Sequence, residues 1–290
     1  MISAYLIHIA IIICIEVILA LSLQISIGYT GLLNLGHIAF FGIGAYASAL
    51  LVMNGTPWII AFLCAGIVPM IFAFLLSIPT NKLKGDYLAL ATVGFSFVIY
   101  ALMLNWTSLT RGPLGIPGIT KPILFGIRFS DNAIFLILAL VIAALTYYVL
   151  YRIVKSPFGL TLQAVRDDED AAKALGKNTF KIKTIGLMIS AFFAGIAGCI
   201  YAHYITFIDP SSFAMMMIIP IVCMVIIGGL ASLKGTLIAT VILVLIPEML
   251  RFVGMPSSIL GPARQIIYAL ILIFILIYKP KGFYGKVVLS

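Results

Sequence analysis

SPFGLTLQAVRDDEDAAKALGKNTFKIK, residues 156–183, makes up most of the longest polar interval, 152–183, in an otherwise apolar chain. Ser156-Pro157 can begin a turn or supply a first helical residue, and Phe158-Gly159 leads into a short apolar piece, 160–165. A second start follows at Asp167 or Asp168, either of which can cap a helix. Asp170 stands three residues after Asp167, as in a loose capping box, and Gly176 is a natural stop two turns on. The acids Asp167, Asp168, Glu169 and Asp170 open this short helix and Lys173 and Lys177 close it, the order the helix dipole favours. Its apolar side, Ala171, Ala172 and Leu175, is too small to anchor a core but suits a groove in another protein. Taken alone, such a charge run is a solvated connector.

The surroundings decide what the interval connects. Of 290 residues, 63% are hydrophobic and 9% charged, with a mean hydropathy of +1.22. No water-soluble domain of this size could carry that on its surface, so the chain reads as an all-α polytopic integral membrane protein. Apolar runs at 2–23, 37–52, 58–78, 87–106, 134–151, 184–204, 215–229, 235–250 and 265–278 give about nine transmembrane helices in a single domain, 1–290. Residues 1–20 lack a basic leader region and a convincing cleavage site and read as an uncleaved first span.

If 152–183 is cytoplasmic, alternation of the spans puts Lys82, Lys84, Lys234, Lys279, Lys281 and Lys286 on the same side. That side then holds thirteen of the 18 Lys and Arg. Arg111, Lys121, Arg128, Arg251 and Arg264 face the other way, so the bias of basic residues places the N-terminus outside and the C-terminus in the cytoplasm. The net charge of +9 is thus a matter of topology, not of nucleic-acid binding.

Two interruptions stand out. The outer loop 107–131 contains TRGPLGIPGITKP, too broken by glycine and proline for a helix, with two or three exposed cations. Residues 26–37, SIGYTGLLNLGH, break the apolar pattern with Gly28, Gly31 and Gly36 and add Tyr29, Thr30, Asn34 and His37. This stretch is either a broken helix beside a pathway or an ordinary turn at the surface. A faint echo of its Gly31-Leu32-Leu33-Asn34-Leu35 recurs as Gly229-Leu230-Ala231-Ser232-Leu233. Within 184–204, Gly186, Ser190, Ala194 and Gly198 recur every four residues, a spacing that lets helix backbones approach closely.

Catalytic chemistry is scarce. His8, His37 and His203 are far apart, no paired acids stand at metal spacing, and no nucleophile–base pattern emerges. The four cysteines, Cys14, Cys64, Cys199 and Cys223, are scattered through apolar segments and read as reduced, buried small hydrophobes. There is no phosphate-binding glycine loop, so ATP, if it is used, is bound by another subunit. Glu16 lies mid-span, Glu248 near a span end and Asp86 at a boundary, thin support for an ion-coupled carrier.

The motifs Gly28-Tyr29-Thr30-Gly31-Leu32-Leu33-Asn34-Leu35-Gly36-His37, Lys84-Gly85-Asp86-Tyr87-Leu88-Ala89, Gly112-Pro113-Leu114-Gly115-Ile116, Ser156-Pro157-Phe158-Gly159, Ala164-Val165-Arg166-Asp167-Asp168-Glu169 and Lys279-Pro280-Lys281-Gly282-Phe283-Tyr284-Gly285 occur in that order. Together they resemble the M-type permease subunits of bacterial branched-chain amino acid ABC importers, over nearly the whole chain. Leu160 stands where an arginine is common in that family, and Arg111 replaces a glycine. The resemblance implies a permease of the bacterial inner membrane that binds no cofactor itself. It would work with a second permease, two cytoplasmic ATPases that bind ATP and an extracytoplasmic substrate-binding protein.

By the same resemblance, 164–176 is the coupling element that sits in a groove of the ATPase, with Arg166, Asp167, Asp168, Glu169, Ala171, Ala172, Leu175 and Gly176 its residues. Tyr29, Asn34 and His37 lie near the translocation path, and Arg111 meets the binding protein. The nearest rival substrates are urea and short amides. An ion-coupled secondary carrier and a structural subunit are the alternatives from other classes.

Overall fold

A computed structural model describes residues 2–80, 83, 85–124, 127–129, 131–251, 257–279 and 282–285. Lys82, Lys84, Lys281 and Lys286, counted above for topology, lie outside the described residues.

The described residues form twelve α-helices. Helix α1 (Ile2–Gln24) runs into a π-helical turn, Ile25–Tyr29, and is followed by α2 (His37–Met53), α3 (Trp58–Thr80) and α4 (Asp86–Asn105). After the outer loop come α6 (Asn132–Lys155), the short α7 (Pro157–Asp167) and α8 (Glu169–Ala174), and the long α9 (Thr179–Ile205). Three helices close the chain, α10 (Ile218–Gly228), α11 (Leu233–Arg251) and α12 (Ser257–Tyr278). Five helices are long and apolar enough to cross a membrane, 4–29, 58–80, 86–105, 132–155 and 179–205, and shorter apolar helices accompany them.

Helix α9 is the axis of the bundle. Of its apolar span 72% is buried, against 33% for each of α3, α4 and α6, whose outer faces carry large exposed hydrophobics such as Leu63, Leu90 and Val141. Small residues permit this. A Cβ added at Gly195 would lie 1.9 Å from the Ala65 carbonyl oxygen of α3, and one at Gly198 2.0 Å from that of Phe41 in α2. The Ser190 hydroxyl donates to the Ser22 carbonyl of α1 at 2.7 Å, so α9 touches three neighbours at backbone distance.

Residues 26–37 resolve as a broken helix, not a surface turn. The Thr30 amide donates back to the Ile25 carbonyl, widening the last turn of the first span, and the chain then runs irregularly to α2. Most of the stretch is buried. Its freed backbone groups find side-chain partners, as membrane depth demands: the Thr30 hydroxyl donates to Ile25 O and the Ser26 hydroxyl to Leu32 O.

One expectation needs correction. The apolar run 215–229 is not one full span: a 3-10 turn, Met215–Met217, precedes an α-helix of only 11 residues. At 1.5 Å per residue that is roughly 16 Å, about half the hydrocarbon thickness. Apolarity was legible there, but Ala214 is extended and Gly229 has φ of 97°, so the helix is bounded on both sides. The outer loop opens with one α-helical turn, α5 (Thr107–Thr110), ahead of the glycine- and proline-rich stretch, which forms no α-helix and holds only a 3-10 turn, Gly112–Leu114. It is pinned to the end of α9 by an antiparallel pair, β1 (Ile116–Pro117) with β4 (Phe207–Ile208), and also holds a hairpin of β2 (Ile123–Leu124) with β3 (Ile127–Arg128).

Candidate functional site

Helices α7 and α8 are built as the polar interval suggested, with details the sequence left open. The Ser156 hydroxyl accepts from the Gly159 amide and Pro157 takes the first helical position, so α7 starts cleanly. Asp168, not Asp167, caps α8, its carboxylate accepting from the Asp170 and Ala171 amides at 3.0 and 2.9 Å. At the far end Gly176 adopts φ of 75° and the Lys177 amide reaches back to the Ala172 carbonyl.

The eight candidate coupling residues divide between two faces. Arg166, Glu169 and Ala172 turn inward. The Arg166 Nη1 donates to the Gly28 carbonyl of the π-helical turn at 2.6 Å, while Nε and Nη2 hold the Asp167 carboxylate. At Gly31, φ is 73° and a Cβ would lie 2.7 Å from Arg166 Cγ, so glycine is needed there both for conformation and for room. Glu169 is clamped by Lys183 of α9, by Thr179 and by Lys173. Burial by itself raises its pKa, but the hydrogen bonds from Lys183 and Lys173 outweigh that and hold the carboxyl at about 2. Asp167, Asp168, Ala171, Leu175 and Gly176 face outward, Leu175 with 81% of its surface exposed. With Leu160 and Ala164 of α7, also exposed, Ala171 and Leu175 give this end of the bundle an apolar outer surface.

Tyr29, Asn34 and His37 are all buried but do not converge on one site. Tyr29 donates to the Ala231 carbonyl at 2.8 Å, next to the bond from Gln24 Nε2 to the Gly229 carbonyl. The end of the first span, just ahead of Gly31–Leu35, thus meets the stretch Gly229–Leu233 in space. Asn34 lines a void of about 10 Å³ with Ser77, Thr80, Thr92 and Lys183, and neither of its amide atoms has a hydrogen-bond partner among the described residues. His37 pairs through Nε2 with the Ser22 hydroxyl at 2.8 Å; because that hydroxyl donates to the Leu19 carbonyl, the imidazole is the donor. Sequence reasoning passed over Ser22, Gln24, Thr92 and Lys183. A lone Gln in an apolar run was the available signal for one of them.

Arg111 is exposed and left-handed, with φ of 60°, between α5 and the 3-10 turn Gly112–Leu114. That conformation is one that glycine adopts without cost and other residues rarely do. At the opposite end, the Phe283 and Tyr284 amides donate to the Ile227 and Gly228 carbonyls, so the tail motif closes the end of α10. Among the described residues no group of three His, Cys, Asp or Glu stands close enough to hold a metal ion.

A bundle of apolar helices around a close-packed axis, with a broken first span tied to a peripheral polar helix pair, defines a multi-pass membrane protein. Residues 5–277 match the family model described as branched-chain amino acid transport system / permease component. The chain is 34% identical to the high-affinity branched-chain amino acid transport system permease protein LivM of Salmonella typhimurium, over 97% of this chain and 70% of that protein. It is 25% identical to a probable branched-chain amino acid transport permease protein LivM of Methanocaldococcus jannaschii, over 91% and 89%. With LivH of Escherichia coli, a high-affinity branched-chain amino acid transport system permease protein, it shares 26% identity over 90% of each chain. No solved structure matches the chain significantly. The chain belongs to this permease family, and it is a transport protein, not an enzyme.

Proposed function

We propose that this permease forms one half of the translocation pathway of an ATP-driven importer for branched-chain or similar hydrophobic amino acids. Its counterpart is a second permease, and similarity to both LivM and LivH proteins supports such a pair. Two ATPases bind ATP on the cytoplasmic side and a binding protein delivers substrate from outside. The chain crosses the bacterial inner membrane about nine times, N-terminus outside. The distribution of Lys and Arg supports that orientation.

One observation carries the coupling role: Ala164, Ala171 and Leu175 are exposed on a helix pair whose other face is tied by Arg166 to the broken span and by Glu169 to the central helix. A push on the outer face therefore reaches both. Arg111, on the outer loop, suits an acidic surface of the binding protein.

Leu175→Asp tests this, because a desolvated charge cannot be accommodated in an apolar groove. We expect the ATPases to be lost from the purified complex, and ATP-dependent leucine uptake with them, while uptake driven by an ion gradient alone stays absent throughout. Normal ATPase recovery together with normal uptake would refute the coupling role. A parallel assay with urea separates the amino-acid reading from its nearest rival.

A further inference from the structure

Glu16 is the one acidic residue in the first span. It lines a cavity of about 360 Å³, within the range of about 300–1,000 Å³ typical of small-ligand sites. The walls are Ile15 and Leu19 of α1, Ile38 and Phe41 of α2, and Ile221 of α10. Polar groups enter from one side, as Tyr201, Ser211 and Ser212. The Glu16 Oε2 is buried and has no hydrogen-bond partner among the described residues. A carboxylate in that state costs several kcal/mol unless a cation or donor reaches it.

The other nearby acid cannot share the role. Asp209 accepts from the hydroxyls of Ser211 and Ser212 and from the Ser212 amide, which occupies its oxygens. The half-length helix α10 begins at the same place, since Met217, Pro220 and Ile221 also line the cavity.

We propose that this cavity is a transit site for the amino acid, in which the Glu16 carboxylate holds the ammonium group and the apolar walls take the side chain. This rests on the amino-acid importer reading above. A neutral solute such as urea supplies no charge to offset that of Glu16, so the cavity also discriminates between the two substrate classes.

The test is radiolabelled leucine uptake by the complete importer, with its partner permease, ATPases and binding protein, in proteoliposomes. Glu16→Gln, nearly isosteric, is expected to assemble normally and to cut uptake about ten-fold or more, with Glu16→Asp recovering part of the loss. Wild-type uptake by Glu16→Gln would overturn the transit site while leaving the importer reading intact. A wild-type complex that imports urea and no amino acid would overturn both. If Glu16→Gln fails to assemble, Ile38→Trp fills the cavity from α2, and unchanged uptake by that variant overturns the proposal.

Discussion

At the scale of single residues, the positions that matter most are those where a polar or awkward group is held deliberately. Lys183 is almost enclosed, its side chain 11% exposed, and Glu169 is its partner. Glu169→Gln leaves that ammonium buried without a counter-charge and should cost about 2–3 kcal/mol, read as a lower melting temperature in detergent. The sign of the pH dependence follows from the depressed pKa. The clamp contributes fully above the ordinary glutamate value of 4.5 and is lost as pH falls through about 2, so the gap between wild type and variant should be flat at neutral pH and close only in strong acid. Arg111 is the converse case. A left-handed arginine costs about 1–2 kcal/mol, and glycine returns most of it less its own chain entropy, so Arg111→Gly should stabilise by about 0.5–1 kcal/mol in the same melt. If Arg111 meets the binding protein, that gain comes with weaker capture of it. The exposed φ is invisible in sequence, whereas the exchange of glycine for arginine was legible as an oddity without a cause. Asn34 and His37 were legible as polar intrusions, but that His37 pairs with Ser22 of α1 and that Asn34 faces a void lined from α3 and α4 depends on how the helices pack.

At the scale of helices, the four-residue recurrence of Gly186, Ser190, Ala194 and Gly198 showed that α9 packs tightly, and the contacts it makes explain what the spacing is for. Gly195→Val places side-chain atoms against the Ala65 carbonyl, a backbone group that cannot yield without moving α3. We expect a loss of roughly 3 kcal/mol or more, seen as poor recovery of folded protein and an early melt, with Gly94→Ala as a neutral control because nothing lies within 4 Å of that site. Apolar runs located every long helix, yet misjudged α10, because hydropathy measures oiliness and not where backbone conformation ends a helix. The cap at Asp168 was open between two aspartates for a related reason. Either side chain could accept the amides; Asp167 ends α7 in helical conformation whereas Asp168 is extended, with φ of −151°, and so takes the cap.

At the scale of the whole molecule, the membrane character and the two broken stretches were legible, and their meeting was not. Nothing in Gly31–Leu35 or Gly229–Leu233 announces that Tyr29 and Gln24 bond to Ala231 and Gly229, because long-range pairing leaves no periodic trace. That meeting constrains how the protein is made. Gln24 and its acceptor are 205 residues apart. At about 5–20 residues per second, the first helix stands in the membrane with an unsatisfied amide for on the order of 10–40 s before its partner is synthesised. The first span is thus born incomplete and finished only when a loop some two hundred residues later emerges.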